Sequence, residues 1–361
     1  MQPNSITTPY QFFASANSAE GFRSYFDEIF PSEKLDGIFI LKGGPGTGKS
    51  TLLRSLAHAF DAPEIKVEVF YCSSDPSSLD GVLLSHGERR VAILDGTAPH
   101  ERDARSPGAT DVLVNLGVGF DERSLREKKS EIVQLQRKKG LAYKEAYFYL
   151  QLFGIFRSKI EAETKSRVKK DAIDAWITKE ILPLVSKREQ GFFSPRLIRS
   201  FSSKGEKRLD SYERLAKKSF VFCADKAESG VFLHEMLTVL QKQKIGGIYA
   251  PSPFSPSAID GIFLEDGKIA ITACEEEDAA TLCSRDFFSP PSKEQSEVLK
   301  KYNAEAKHFL ALAKEALVVA SEHHFALEGI YTPAMHFDRL APITAELKKQ
   351  IASLLSIREI P

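Results

Sequence analysis

Gly43, Gly48, Lys49 and Ser50 stand at the spacing GxxxxGK[ST] within the run GIFILKGGPGTGKSTLLRSLAHAF. That set of residue types suits one task, the holding of a polyphosphate. Glycines let backbone N–H groups turn inward around phosphate oxygens, and a helix N-terminus adds partial positive charge at the same place. Lys49 would hold the β- and γ-phosphates of a nucleotide, and the Ser50 hydroxyl would be one ligand of an octahedral Mg²⁺ that keeps most of its waters. The residues expected around the phosphates are Gly43, Gly44, Pro45, Gly46, Thr47, Gly48, Lys49, Ser50 and Thr51. A second segment, VAILDG at 91–96, is an apolar strand ending in Asp95, which would hold the Mg²⁺ through water beside Ser50.

The residue after Asp95 is Gly96, so no acidic base follows it directly and a water-orienting group must come from elsewhere. Asp75, in the loop CSSDPSSLDG, is the first candidate for a catalytic or substrate-orienting carboxylate; the competing role is a local turn with Pro76. Asp80, His100 and Glu101 are further candidates in neighbouring loops. Cys72 ends a strand and reads as a small buried residue rather than a nucleophile. No [NT]KxD guanine-reading loop is present, which favours ATP over GTP.

The elements that must position these groups are a buried strand at Ile38–Leu41 and a helix at Ser50–Phe60 with Leu52, Leu53, Leu56 and Ala59 on one side. The same pattern recurs. Residues 39–56 lie without a gap over 220–237, placing Gly43 on Ala224, Gly48 on Ser229, Lys49 on Gly230, Ser50 on Val231 and Thr51 on Phe232. DPSSLDGVLL then matches SPSAIDGIFL, with Asp80 on Asp260, and VAILDG meets IAITAC, with Asp95 on Ala273. The reading is a duplicated domain whose second copy keeps the core and loses the triphosphate chemistry; shared α/β periodicity without duplication is the competing explanation. One nucleotide per chain is then expected. Arg199, Arg208 and Arg214 precede the second strand and are candidates to reach the γ-phosphate of the first site.

After each α/β stretch the pattern turns helical. Residues 121–170 carry Leu135, Tyr143, Tyr147, Leu150 and Phe153 at helix-stripe spacing, and 292–324 is the counterpart; each is expected to be a helical hairpin. The expected division is 1–120 as an active core, 121–192 as a helical arm, 193–290 as a degenerate core and 291–361 as a C-terminal helical arm. Lys plus Arg equals Asp plus Glu at 49 each, yet residues 121–218 hold 25 basic against 14 acidic side chains. A solvated face meeting an acidic domain of the same chain explains this ahead of nucleic acid, for which no motif is present. The four cysteines fall singly, no long apolar run suggests a membrane span, and the N-terminus lacks a leader pattern, so a soluble cytoplasmic protein is expected.

Taken together, FFASANSAEGF, ILKGGPGTGKST, CSSDPSSLDGV, VAILDGTAPH and SPGA resemble a bacterial family of tandem-repeat P-loop ATPases, across the first half and more weakly the second. Members carry an intact GxPGTGKST in both halves; this chain departs at 224–232 and at Ala273. The resemblance implies ATP binding and gives no substrate. The expected fold is α/β, with duplicated P-loop NTPase-like domains built on mostly parallel sheets flanked by helices. Three functions fit the residues: a Mg-dependent ATPase whose arms report nucleotide state to a protein partner, a kinase passing phosphate to a small molecule or nucleotide near Asp75, Asp80 and His100, and a nucleotide-gated module with negligible turnover.

Overall fold

The computed structural model describes residues 8, 10–99, 101–186, 191–274 and 281–357. The chain divides into two compact units, one formed by the residues up to Ser15 with Ser24–Glu145 and Glu315 onward, the other by Ala16–Arg23 and Ala146–Lys314. Among the described residues no helix is long and apolar enough to cross a membrane.

Chain order begins with β1 (Gln11–Phe13), the hairpin β2 (Ser15–Ser18) and β3 (Gly21–Ser24), the short helix α1 (Phe26–Ile29) and β4 (Gly37–Lys42). Helix α2 (Lys49–Ala59), β5 (Ile65–Tyr71), β6 (Leu79–His86), β7 (Arg89–Asp95) and β8 (Asp111–Asn115) come next. The sheet of the first unit runs β1-β5-β6-β7-β4-β8, every pairing parallel except the two made by β6. Strand β4 reads as an unbroken apolar run because both its faces are covered. Phe39 and Leu41 pack with Leu53, Leu56 and Phe60, while Ile38 and Ile40 are fully buried on the other face.

The chain continues with α3 (Glu122–Glu127), the long helix α4 (Lys129–Lys165), α5 (Lys170–Trp176), β9 (Phe193–Pro195), the hairpin β10 (Arg199–Ser202) and β11 (Gly205–Arg208), and α6 (Ser211–Leu215). The second unit then adds β12 (Lys218–Cys223), α7 (Lys226–Lys242), β13 (Gly247–Pro251), β14 (Ile259–Leu264), β15 (Ile269–Cys274), β16 (Leu282–Cys283) and α8 (Ser284–Phe287). Two helices close the chain, α9 (Lys293–Tyr331) and α10 (Ala341–Leu354). The second sheet runs β16-β12-β15-β14-β13-β9, with β14 antiparallel to its neighbours.

Read from opposite ends, the two sheets have one topology, and the match extends to irregularities. In the first sheet the register slips where Phe70 pairs with Gly81 and Tyr71 with Leu79, leaving Asp80 as the extra residue. In the second it slips where Ala250 pairs with Gly261 and Pro251 with Ile259, leaving Asp260. The hairpins share a turn as well: the Ser18 and Ser202 hydroxyls donate to the carbonyls of Gly21 and Gly205, glycines at φ +91° and +88°. The aligned sequence segments therefore correspond to equivalent elements.

The expected helical hairpins are corrected. Helix α4 is one continuous element of 37 residues and α9 one of 39. Gly140 and Gly154 do not interrupt α4, since an interior glycine costs only about 1 kcal/mol, and a Cβ at Gly154 would run into Ala19. Beyond each long helix the chain re-enters a core. Leu347, Ile351 and Leu355, from α10 and the residue after it, join the apolar cluster of the first sheet, and Ile173, Ile177 and Ile181 join that of the second. Short bridges fix both arrivals: Phe120 pairs with Met335, and Val168 with Phe288. Part of the basic surplus in 121–218 also turns inward, since Arg157, Arg167 and Arg196 are buried.

Candidate functional site

Six residues, Gly43–Gly48, connect β4 to α2 in the first unit. Gly46 and Gly48 take φ of +69° and +81°, and Gly48 is the N-cap of α2 without any side-chain hydrogen bond to the helix amides. An L side chain would be strained at either position, and space is short: a Cβ on Gly46 would meet Thr332, one on Gly48 would lie 3.3 Å from Phe337, and one on Gly44 would lie 3.3 Å from Tyr331. The loop is locked from within by Thr47, which is buried and donates its hydroxyl proton to the Gly44 carbonyl at 2.9 Å.

Lys49 is the first residue of α2, and its ammonium folds back to the carbonyls of Gly43 and Gly44 at 3.1 and 2.9 Å. It also lies 3.6 Å from the Asp95 carboxylate. Asp95 arrives there because β7 pairs directly with β4, with Leu41 opposite Asp95. Its Oδ1 accepts from the Thr97 amide and hydroxyl at 2.9 and 2.6 Å, which leaves Oδ2 facing Lys49. The Ser50 hydroxyl oxygen accepts from the Leu79 amide at 2.9 Å and keeps its proton and a further lone pair. Lys49, Ser50 and Asp95 are thus gathered around the end of one uncapped helix. These groups fit Mg·ATP: an ammonium for the phosphates, a hydroxyl and a carboxylate for the ion, and inward-turning glycines for close approach.

Of the other residues named from sequence, Thr51 is exposed in the first turn of α2, and Gly43, Gly44 and Pro45 are half-buried along the loop. Asp75 is engaged with its own turn, its carboxylate accepting from the hydroxyls of Ser77 at 2.7 and 2.8 Å and of Ser78 at 3.1 Å. Asp80 is buried at the bulge of β6. Glu101 is exposed, and His100 lies outside the described residues. Gly96 could not be replaced by an acid, because a side chain there would collide with Ile40 and come within 3.0 Å of the Arg102 carbonyl. Burial and the neighbouring Asp80 carboxylate push the Cys72 thiol well up, which is the wrong direction for a nucleophile.

Sequence reasoning missed Lys139 of α4 and gave its neighbour Tyr143 only a place in the apolar stripe. Burial lowers the pKa of the Lys139 ammonium, and the nearby Lys49 charge lowers it further. Tyr143 is half-buried, its phenol pushed up by burial and held down by a hydrogen bond with Ser74. Aligning the two long helices on Phe120 and Phe288, which make equivalent bridges, places Lys139 on Lys307 of α9. The bridges that anchor this comparison are visible only in the structure, so the sequence alone carried no signal for Lys139.

The second unit differs where the chemistry differs. Only Ala224 and Asp225 connect β12 to α7. The helix starts earlier, and the Asp225 carboxylate caps it, accepting from the amides of Ala227 and Glu228 at 2.7 and 3.0 Å. Val231 and Phe232, the counterparts of Ser50 and Thr51, are core residues, Phe232 stacking on Phe222 at 4.1 Å. Arg199 pairs with Glu206 and with Asp260, Arg208 with Glu213, and Arg214 lies 3.9 Å from Asp210. Each of these partners belongs to the same unit. Compared with protein families, with curated proteins and with solved structures, the chain finds no match.

Proposed function

We propose that this chain is an ATP-binding P-loop protein, a Mg-dependent ATPase with one nucleotide site in its first unit and a degenerate second repeat. The observation that carries the reading is the meeting of Lys49, Ser50 and Asp95 at an uncapped helix end reached through glycines of positive φ. When bound, Mg²⁺ would neutralise phosphate charge and ATP would supply the phosphoryl group. Lys49 would exchange the carbonyls of Gly43 and Gly44 for phosphate oxygens. Asp95 would hold a metal-bound water while Thr97 fixes its orientation. Two lysines, Lys49 and Lys139, bring like charge together in a way that a polyanion relieves.

Two observations favour slow turnover and a gated module over a fast hydrolase. The position after Asp95 has no room for an acid, and Asp75 is held by Ser77 and Ser78. The test is calorimetric titration with Mg·ATP followed by phosphate release from the same samples. One ATP per chain is expected, and Lys49→Ala is expected to weaken binding by about 30-fold, from about 2 kcal/mol of charge-assisted hydrogen bonding. Two equivalents per chain, or unchanged affinity in Lys49→Ala, would overturn the assignment. Phosphate release at the rate of a fast hydrolase would remove the gated reading.

A further inference from the structure

The second unit contains a cavity of about 440 Å³ at the carboxyl ends of β12 and β15 and the start of α7, bounded by Ala224, Ser229, Ala273 and Cys274. It occupies the place in the repeat that corresponds to the glycine loop and Asp95 of the first unit. The chemistry there has been replaced rather than erased. Five cations line it, Arg157, Arg199, Arg208, Lys226 and Lys307, against one lining carboxylate, Asp260.

Three of the five are already neutralised. Arg199 pairs with Glu206 and lies 3.1 Å from Asp260, Lys226 reaches Glu206 at 2.8 Å, and Arg208 pairs with Glu213. Arg157 and Lys307 are different. Arg157 projects from α4, is 8% exposed, and its Nε has no hydrogen-bond partner; among the described residues nothing accepts from or pairs with its guanidinium. The nearest acid along its helix, Glu161, accepts through Oε2 from the hydroxyls of Ser255 and Ser257 at 2.7 and 2.6 Å, and its buried Oε1 has no hydrogen-bond partner among the described residues and makes no ion pair with Arg157. Burial lowers the guanidinium's pKa, against the attraction of Glu161, Asp225 and Asp260. Lys307 comes from α9 and forms no ion pair among the described residues. A buried guanidinium without a hydrogen bond is costly unless something else supplies the acceptor.

The remaining walls combine the polar Ser229, Ser252, Ser255 and Asn303 with a set of apolar side chains. Phe153 and Phe254 meet edge to face at 5.7 Å, and Ile259 and Leu310 line the space as well. A nucleoside triphosphate does not suit the helix end here, since Asp225 already places a carboxylate on the first amides of α7 and neither Lys49 nor Asp95 has a counterpart. The anion must instead meet Arg157 and Lys307. The buried Arg157 guanidinium calls for an acceptor, the exposed Lys307 ammonium in the same lining adds a second charge that suits a dianion, and the aromatic and aliphatic side chains suit an apolar body.

We infer that the cavity of the second unit binds a small phosphomonoester, its phosphoryl group on Arg157 and Lys307 and its organic part against Phe153, Phe254, Ile259 and Leu310. The site is separate from the nucleotide site of the first unit and stands or falls without it. Calorimetric titration of the full chain with phenyl phosphate tests it, with inorganic phosphate and benzoate as the comparison probes. The expected result is one phenyl phosphate per chain, bound more tightly than either comparison probe. Arg157→Gln is expected to lose at least about tenfold in affinity and Lys307→Ala about threefold, while Lys49→Ala binds as wild type. Lys307 is exposed, so its variant reads the site even if Arg157→Gln loses the fold, which Trp176 fluorescence reports. Absence of phenyl phosphate binding at millimolar concentration, or wild-type affinity in both variants, overturns the site. Tighter binding of benzoate overturns the phosphoryl assignment, and equal binding of inorganic phosphate overturns the apolar wall.

Discussion

Replacing Ile351 by alanine tests whether the C-terminal helix belongs to the first unit's core. Ile351 is fully buried on α10 in the cluster that contains Phe39 and Leu41 of β4. Truncating such a residue removes transfer energy and leaves a cavity, together about 2–5 kcal/mol. For a unit of this size each kcal/mol lowers the midpoint by about 2–4 °C, so a loss near 3 kcal/mol should shift it by about 6–12 °C. The chain has one tryptophan, Trp176, whose ring meets Phe220 at 4.9 Å in the core of the second unit. Its fluorescence follows that unit, whereas far-UV circular dichroism follows both. Ile351→Ala should produce a circular dichroism component that melts early, ahead of the Trp176 signal. Ile177→Ala, the mirror change, should move the Trp176 signal. On the proposed nucleotide site, Mg·ATP at about a hundred times its dissociation constant would add about 2.7 kcal/mol to the folded state and should restore most of the early component, because β4 carries the glycine loop. An unchanged circular dichroism profile in Ile351→Ala would refute the placement of α10 in that core.

Gly46→Ala combines a positive φ with a collision at Thr332, and should destabilise the first unit by at least about 2 kcal/mol while weakening Mg·ATP at least tenfold. Adding Thr332→Ala should recover part of the stability and none of the φ strain; denaturant titration of the three proteins separates the terms. Lys139 has a folded pKa below the ordinary lysine value of 10.5. The unfolded chain therefore holds the proton more tightly, and stability should rise with pH from the lowered folded value up to 10.5, the penalty being full below that window. Lys139→Met should be more stable than wild type at neutral pH and lack this rise, yet bind Mg·ATP more weakly, as urea titrations across the window and calorimetry would show.

The strand, glycine loop and helix at 37–60 were legible because a short apolar run, a motif of fixed spacing and a 3.6-residue period coincide there. Asp95 was legible for the same reason, and its meeting with Lys49 follows from one strand pairing. The aligned PSxxDG segments marked a shared bulge at Asp80 and Asp260, though only the sheet register reveals a bulge. Helix length was not legible. The charge and glycines of 121–170 suit one long helix or two short ones, and the difference lies in contacts distant in sequence, such as Gly154 against Ala19. Nor were the destinations of α5 and α10 legible, since an apolar helix stripe does not state which sheet it covers. Lys139 and Arg157 were hidden among many similar charges, and only packing shows that the first is half-buried and the second buried.

The contrast between the two helix starts is the physical basis for proposing a triphosphate site in one repeat and none in the other. In the first unit the connection is six residues long, two of its glycines adopt positive φ, and no side chain caps the helix, so the first amides of α2 have no side-chain acceptor. A ligand phosphate would supply the acceptors that the protein withholds. In the second unit the connection has shrunk to two residues, and the Asp225 carboxylate serves the amides itself, a contact that contributes about 1 kcal/mol to the helix. The same carboxylate presents negative charge where a phosphate would approach, which repels it. Loss of the lysine and of the metal-side residues is then of a piece with the capped helix, because none of them has an anion to hold at that position. Positive charge survives farther from the helix, on Arg157 and Lys307, and it is there that the inferred phosphomonoester would find its partners.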